Sequence, residues 1–191
     1  EEIEFQQAMV YMGSLSMLII FGLMAIAFKS YWQPFLVLTA VPFGLMGAIF
    51  GHWMLGWQVS MFSIMGVIAC AGVVVNDNLV LIDRINNLRD EGMDLVDALL
   101  QGATDRFRPI ILTSVTTFVG LVPIMLETSV QAQFLIPMVV SLSFGVMFAT
   151  GVTLVLVPAL YLLGDDIGKF LSIVTKRELE RQDEGVSPPL V

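Results

Sequence analysis

The chain has 191 residues, 57% of them hydrophobic and only 14% charged, against roughly a quarter charged in an ordinary soluble domain. A mean hydropathy of +0.85 excludes a surface wetted all round, so a bilayer is the expected solvent. The net charge of −8 argues against nucleic acid as a partner, and a single cysteine (Cys70) and a single histidine (His52) exclude an internal disulfide and a multi-Cys or His-based metal cluster.

Glu1-Glu2-Ile3 opens the chain without an initiator Met or a basic flank, which is not a signal-peptide pattern and is the expectation for a piece of a longer polypeptide. Residues 5–28 carry no charge and are long enough to cross the hydrocarbon core as a first helix. Lys29 ends that run, and Ser30-Tyr31-Trp32-Gln33-Pro34 supplies interfacial aromatics and a proline suited to a first helical turn. The uncharged stretch that follows is about twice what one span needs, so it must fold back. Gly51-His52-Trp53-Met54-Leu55-Gly56-Trp57-Gln58 reads as the surface turn, giving a second span at 35–53 and a third at 61–86. Leu95, Val96, Leu99, Leu100 and Ala103 then recur at helical spacing opposite Asp94, Asp97, Gln101 and Thr104, which predicts a short amphipathic interfacial helix over 94–104. Arg108-Pro109 starts a fourth span over 109–126, a polar loop follows, and a fifth span covers 134–163. The charged tail 165–191, with Ser187-Pro188-Pro189 near its end, is expected to be disordered. The fold class predicted is therefore all-α, a polytopic bundle over 1–164.

With five spans, the nine Lys and Arg residues all fall on one side, which the positive-inside rule makes cytoplasmic together with the C-terminus. Inside the membrane, small residues recur at helical steps and predict close helix packing: Gly44, Gly47 and Gly51 in the second span, Gly66, Cys70 and Gly72 in the third, Gly145 in the fifth. Asp77 stands apart. Apolar residues precede it for several turns, and an ionised carboxylate at depth costs about 2.5–3.5 kcal/mol on insertion scales. It must be protonated, paired or facing water; it is a proton carrier, or a carboxylate merely hydrated near the cytoplasmic interface, or one hydrogen-bonded by Asn76 and Asn78. Thr113, Ser114, Thr116 and Thr117 cluster in the fourth span, where their hydroxyls can bond back to the helix or hold water. The twelve Met residues read as packing filler rather than a copper relay. No nucleotide loop, metal cluster or Ser-His-acid set points to an enzyme.

The run Gly72-Val-Val-Val-Asn-Asp-Asn-Leu-Val-Leu-Ile-Asp83, then Arg106-Phe-Arg-Pro-Ile-Ile-Leu-Thr-Ser114 and Gly120-Leu-Val-Pro123, resembles the resistance-nodulation-division (RND) efflux transporters over nearly the whole chain except the tail. The Lys29–Pro34 link and the Val41–Gly47 stretch fit the same pattern. The resemblance implies the last five spans of a twelve-span inner-membrane pump. Such a pump is a homotrimer in which this half works against an N-terminal half of the same protein, with a periplasmic adaptor and an outer-membrane channel. It implies a drug/proton antiporter that exports amphiphilic compounds, needs no cofactor beyond the proton gradient, and binds its cargo in periplasmic domains outside this chain. It also implies a proton relay. Arg106 and Thr113 match the family's Arg and Thr positions, Asn76 stands at its Lys position, and Asp77 follows where a second Asn is usual, so Asp77 would be an extra proton acceptor. Two other readings remain: a non-pumping scaffold or protein-translocation motor subunit on a related bundle, and the heavy-metal branch of the same family.

Overall fold

The computed structural model describes the backbone of residues 2–185 and the side chains of 3–165 other than Phe5, Gln6 and Met9. Its elements are α1 (Glu2–Phe28), α2 (Trp32–Leu38), α3 (Val41–Leu55), α4 (Met61–Asp90), α5 (Leu95–Met125) and α6 (Val130–Gly185), with no strand among the described residues. Five helical segments are long and apolar enough to cross a membrane, with α2 and α3 acting as one: Val10–Phe28, Trp32–Leu55, Met61–Asp90, Leu95–Met125 and Val130–Asp165.

Local chemistry explains the joints. Lys29 takes φ 51 between α1 and α2, the one left-handed non-glycine among the described residues. Pro42 has no N–H to give the Leu38 carbonyl, so the second span breaks between α2 and α3, where the Thr39 hydroxyl donates to the Leu36 carbonyl at 2.6 Å. Gly56, at φ 69, closes α3 in the left-handed conformation that glycine adopts without steric cost. Ser60 then starts α4, with its N–H donating to Ser63 Oγ at 3.0 Å. Asp94 caps α5 by accepting from the Val96 N–H at 3.4 Å.

Besides the break in the second span, several boundaries differ from the sequence reading. The helix expected over 94–104 is not separate: α5 runs unbroken from Leu95 through Pro109 to Met125. Leu95, Ala98, Leu99 and Gly102 are buried, and Gly102 lies so near Ile85 that a Cβ would stand 2.7 Å from its side chain, so this stripe packs on α4. The third span continues to Asp90 because its last turns have that partner. The tail expected to be disordered from 165 continues α6 as helix through Gly185; its Leu, Lys, Arg and Glu are good helix formers and no proline interrupts 166–185. Residues 186–191 lie outside the described residues.

α6 is the centre of the bundle, packing on α3, α4 and α5, while α1 touches α2 and α4 lightly and exposes most of its apolar surface. Along α3 and α6 the backbones nearly meet. A Cβ on Gly47 would come within 2.6 Å of the Phe144 carbonyl oxygen, one on Gly51 within 2.5 Å of the Phe144 ring, and one on Gly145 within 2.7 Å of Cys70 Sγ. Without a hydrophobic drive between helices in lipid, such close approach is what dispersion can use. Cys70 is buried there beside Ala40, Val74, Val146 and Ala149. Where Lys29, Arg84 and Arg89 lie, Gln33, Asn86 and Tyr161 tie α2, α4 and α6 together: Asn86 Oδ1 accepts from Gln33 Nε2 at 3.0 Å and from the Tyr161 hydroxyl at 2.9 Å, and Asn86 Nδ2 donates to Gln33 Oε1 at 2.9 Å. Arg89 meets Asp165 at 3.6 Å at the same end.

Candidate functional site

α4 and α5 run antiparallel. Gly102 against Ile85 and the Arg84–Asp105 ion pair at 2.8 Å fix their register. Asp105 Oδ2 also accepts from Arg84 Nε at 2.9 Å, and its Oδ1 from Gln101 Nε2 at 2.7 Å, so that carboxylate is well occupied. Arg106 is the next residue on α5. By the helical rise it sits roughly 9 Å along the axis from the level of Asp77.

Asp77 is half-buried near the middle of α4. Its Oδ2 is buried without a hydrogen-bond partner, and so are Arg106 Nε and Asn78 Nδ2. Asn78 is only 2% exposed. It is buried and makes no hydrogen bond to Asp77, and Asn76 is exposed, so of the alternatives left open for Asp77 the one in which its flanking asparagines bond it is not the arrangement found. The helical period explains this, since consecutive residues are a hundred degrees apart on the helix.

Thr113 is exposed and its hydroxyl donates to carbonyls of its own helix, Ile110 at 2.9 Å and Pro109 at 3.1 Å. Its neighbour Ser114 faces inward, 1% exposed, and shares a 2.7 Å hydrogen bond with Thr150 of α6. Gly72 does not pack: a Cβ there would meet nothing within 4 Å, nor would one on Gly120. Ala69, Gly72 and Asn76 on α4, with Thr113, Thr116 and Gly120 on α5, therefore leave small and polar faces uncovered within this chain. Gly44, Gly47, Gly51 and Gly145 line the opposite, closed side of the bundle.

The sequence reading missed Ser114–Thr150, Asn78 and His52. His52 belongs to no surface turn; it is 3% exposed in the last turn of α3, with Nδ1 2.9 Å from the Ala48 carbonyl and Nε2 2.8 Å from Ser63 Oγ. Trp53 beside it is 77% exposed.

Comparison with known proteins gives the context. The model of the AcrB/AcrD/AcrF family matches residues 1–165. The chain is similar to the cobalt-zinc-cadmium resistance protein CzcA of Cupriavidus metallidurans, 34% identical over 149 residues, which are 78% of this chain and 14% of that protein. Protein HelA of Legionella pneumophila is 35% identical over 148 residues, 77% of this chain and 14% of HelA. A crystal structure of a heavy metal efflux pump (crystal form II) superposes with a TM-score of 0.73 at 30% identity, over 83% of this chain and 15% of that one. The chain thus spans about one seventh of the length of the curated relatives it matches, and it belongs to the AcrB/AcrD/AcrF family of RND transporters, which are secondary transporters of the inner membrane rather than enzymes.

Proposed function

We propose that this chain forms the last five spans of a proton-driven RND efflux pump, with its basic end and C-terminus cytoplasmic, and that Asp77 is its proton-carrying group with Arg106 as charge partner. One observation carries the reading. Asp77 Oδ2 and Arg106 Nε are both buried and both lack a hydrogen-bond partner within this chain. A buried polar atom left unpaired costs about 1–3 kcal/mol, more when charged, and two such groups beside an uncovered polar face call for a missing partner surface. The N-terminal half of the same pump, docked on the Gly72, Asn76 and Thr113 faces, would supply it. A carboxylate completed by a movable partner can gain a proton in one arrangement and lose it in the other, which couples protonation to movement of the two halves. Homotrimer, periplasmic adaptor and outer-membrane channel belong to the same proposal.

The cargo has two readings. Amphiphilic compounds are the sequence expectation. A divalent metal cation is favoured by the names of the relatives, a cobalt-zinc-cadmium resistance protein and a heavy metal efflux pump. In the full-length protein, Asp77→Asn is expected to abolish gradient-driven export while leaving the amount of folded pump in the membrane unchanged. Wild-type export from inverted vesicles, measured in parallel with a fluorescent dye and with zinc or cobalt, separates the two cargoes. Full export by the Asn variant would remove Asp77 from the mechanism, and export indifferent to an uncoupler would remove proton coupling altogether.

A further inference from the structure

The elbow where α1 turns into α2, at the basic end of the bundle, holds a cleft that the Asp77 reading does not use. Phe21, Gly22, Ala25 and Ile26 of α1 and Lys29, Ser30 and Tyr31 of the link line it, and its volume is about 500 Å³. Clefts that take small ligands measure about 300–1,000 Å³. Local chemistry builds this one. Residues 21, 25 and 29 are each four apart, as are 22 and 26, so one face of the last turns of α1 forms the floor. Lys29 leaves the helix at φ 51, with its N–H donating to the Ile26 carbonyl at 3.4 Å, and the Trp32 N–H donates to Ser30 Oγ at 3.3 Å as α2 begins. Trp32 stacks on Phe35 with ring centroids 5.7 Å apart, and its indole lies against Gly164 of α6, where a Cβ would meet it. The link is thereby held to the bundle. Gly22 keeps the floor open, since a Cβ there would meet nothing within 4 Å.

The cleft changes character along the membrane normal. Phe21 lies roughly 12 Å from Lys29 along the helix axis. That is within the hydrocarbon of one leaflet, about 15 Å. The apolar floor is therefore at acyl-chain depth, while Lys29 and Tyr31, the latter 82% exposed, stand at headgroup level. Lys29 is exposed, and its side chain makes no ion pair or hydrogen bond among the described residues. Arg84 and Arg89 at the same end are paired with Asp105 and Asp165. No Asp or Glu occurs from Phe5 to Asn76, so nothing in the membrane-crossing part of α1, the link, α2 or α3 offsets the lysine charge.

We propose that this elbow binds an anionic phospholipid from the leaflet at the basic end, with its phosphate at Lys29 beside Tyr31 and one acyl chain along Phe21, Gly22, Ala25 and Ile26. The proposal rests on the bundle crossing a membrane with its basic residues at one interface; proton coupling and cargo do not enter it. An unpaired cation at headgroup level favours an anionic lipid over a zwitterionic one. The apolar floor, continuous with the hydrocarbon, favours a lipid over a soluble phosphate. A lipid seated there also adds apolar contact to α1, which otherwise touches α2 and α4 only lightly.

The test uses the full-length pump in nanodiscs that carry a small fraction of diazirine-labelled phosphatidylglycerol or, in a parallel sample, phosphatidylcholine with the same chains. After illumination, lipid adducts are mapped by mass spectrometry. Adducts on residues 21–31 should be several-fold more frequent with phosphatidylglycerol. Lys29→Gln, which keeps an exposed polar side chain, should lower the phosphatidylglycerol adducts roughly fivefold, the effect of one interfacial cation, and leave those of phosphatidylcholine unchanged. Gly22→Leu fills the floor without a clash and should lower adducts from both lipids. Equal labelling by the two lipids in the wild type, or phosphatidylglycerol labelling indifferent to Lys29→Gln, would overturn the proposal. So would an absence of adducts on 21–31, the result expected if another helix of the pump covers the elbow, and so would labelling unchanged by Gly22→Leu. Both leaflets of the nanodisc carry the same lipid and labelling needs no transport. A pump that fails the export test, or lies the other way round, therefore leaves this readout intact.

Discussion

The two sides of α5 and α6 treat hydroxyl groups in opposite ways, and adjacent residues make the comparison. Ser114 is buried and spends its hydroxyl on Thr150 of the next helix; Thr113, one residue earlier, is exposed and spends its hydroxyl on its own helix. The glycines divide similarly. Gly47, Gly51 and Gly145 admit a neighbouring helix so closely that no side chain fits, whereas Gly72 and Gly120 face open space. One side of the bundle is finished within this chain. The other carries Asn76 and Thr113, exposed within this chain, beside the half-buried Asp77. Small and polar residues in a membrane helix therefore mark contact surfaces, but whether the contact lies inside the chain or beyond it depends on the packing.

Substitutions can break or sharpen that division. The largest effect is expected for Gly47→Val, because the new Cβ would meet the Phe144 carbonyl oxygen and Phe148 Cβ, both at 2.6 Å. Overpacking of this kind costs roughly 1–3 kcal/mol or more, so the full-length pump should lose its monodisperse peak in detergent after mild heating. Gly72→Val, on the open side, should leave the packing within these five spans intact while lowering export; equal loss of folded protein from both variants would dissolve the distinction between the two sides. An intermediate effect is expected for Ser114→Ala, which strands the Thr150 hydroxyl in the bundle. Interhelical hydrogen bonds in membranes average about 0.6 kcal/mol and reach roughly 1.7, and pairing the change with Thr150→Val should recover part of the loss in thermal unfolding. Thr113→Val should have the smallest effect on stability, within about 0.5 kcal/mol, since it removes only a bond to the helix's own carbonyls. A loss of export by Thr113→Val at unchanged stability would show that its uncovered face works against a partner.

Much of the architecture was legible along the chain. Uncharged runs of membrane length, interrupted by Lys29, the Gly51–Gln58 turn, the charged stretch from Asn86 to Arg108 and the polar loop from Glu127 to Gln133, marked five crossings, since each run must satisfy its backbone as a helix. The break between α2 and α3 was missed although Pro42 announces it, because a run of apolar residues hides a lost backbone bond. The continuous α5 was missed for the opposite reason: Pro109 looked like a boundary, yet burial of Leu95, Ala98 and Leu99 on α4 outweighs one absent hydrogen bond.

Composition and charge placement by themselves determined that this protein is a helical membrane bundle and which of its residues are costly in lipid, Asp77 above all. Hydropathy is a property of each segment and survives without knowledge of its neighbours. Only the tertiary structure decided which polar atoms remain unpaired. Asp77 and Asn78 are adjacent in sequence but differ in surroundings, His52 is buried where a surface turn was expected, and Ser141 is buried with its hydroxyl unpartnered. Satisfaction of a hydrogen bond is a relation between residues far apart in the chain, and the packing of helices, with a period that turns each residue to its own direction, sets it.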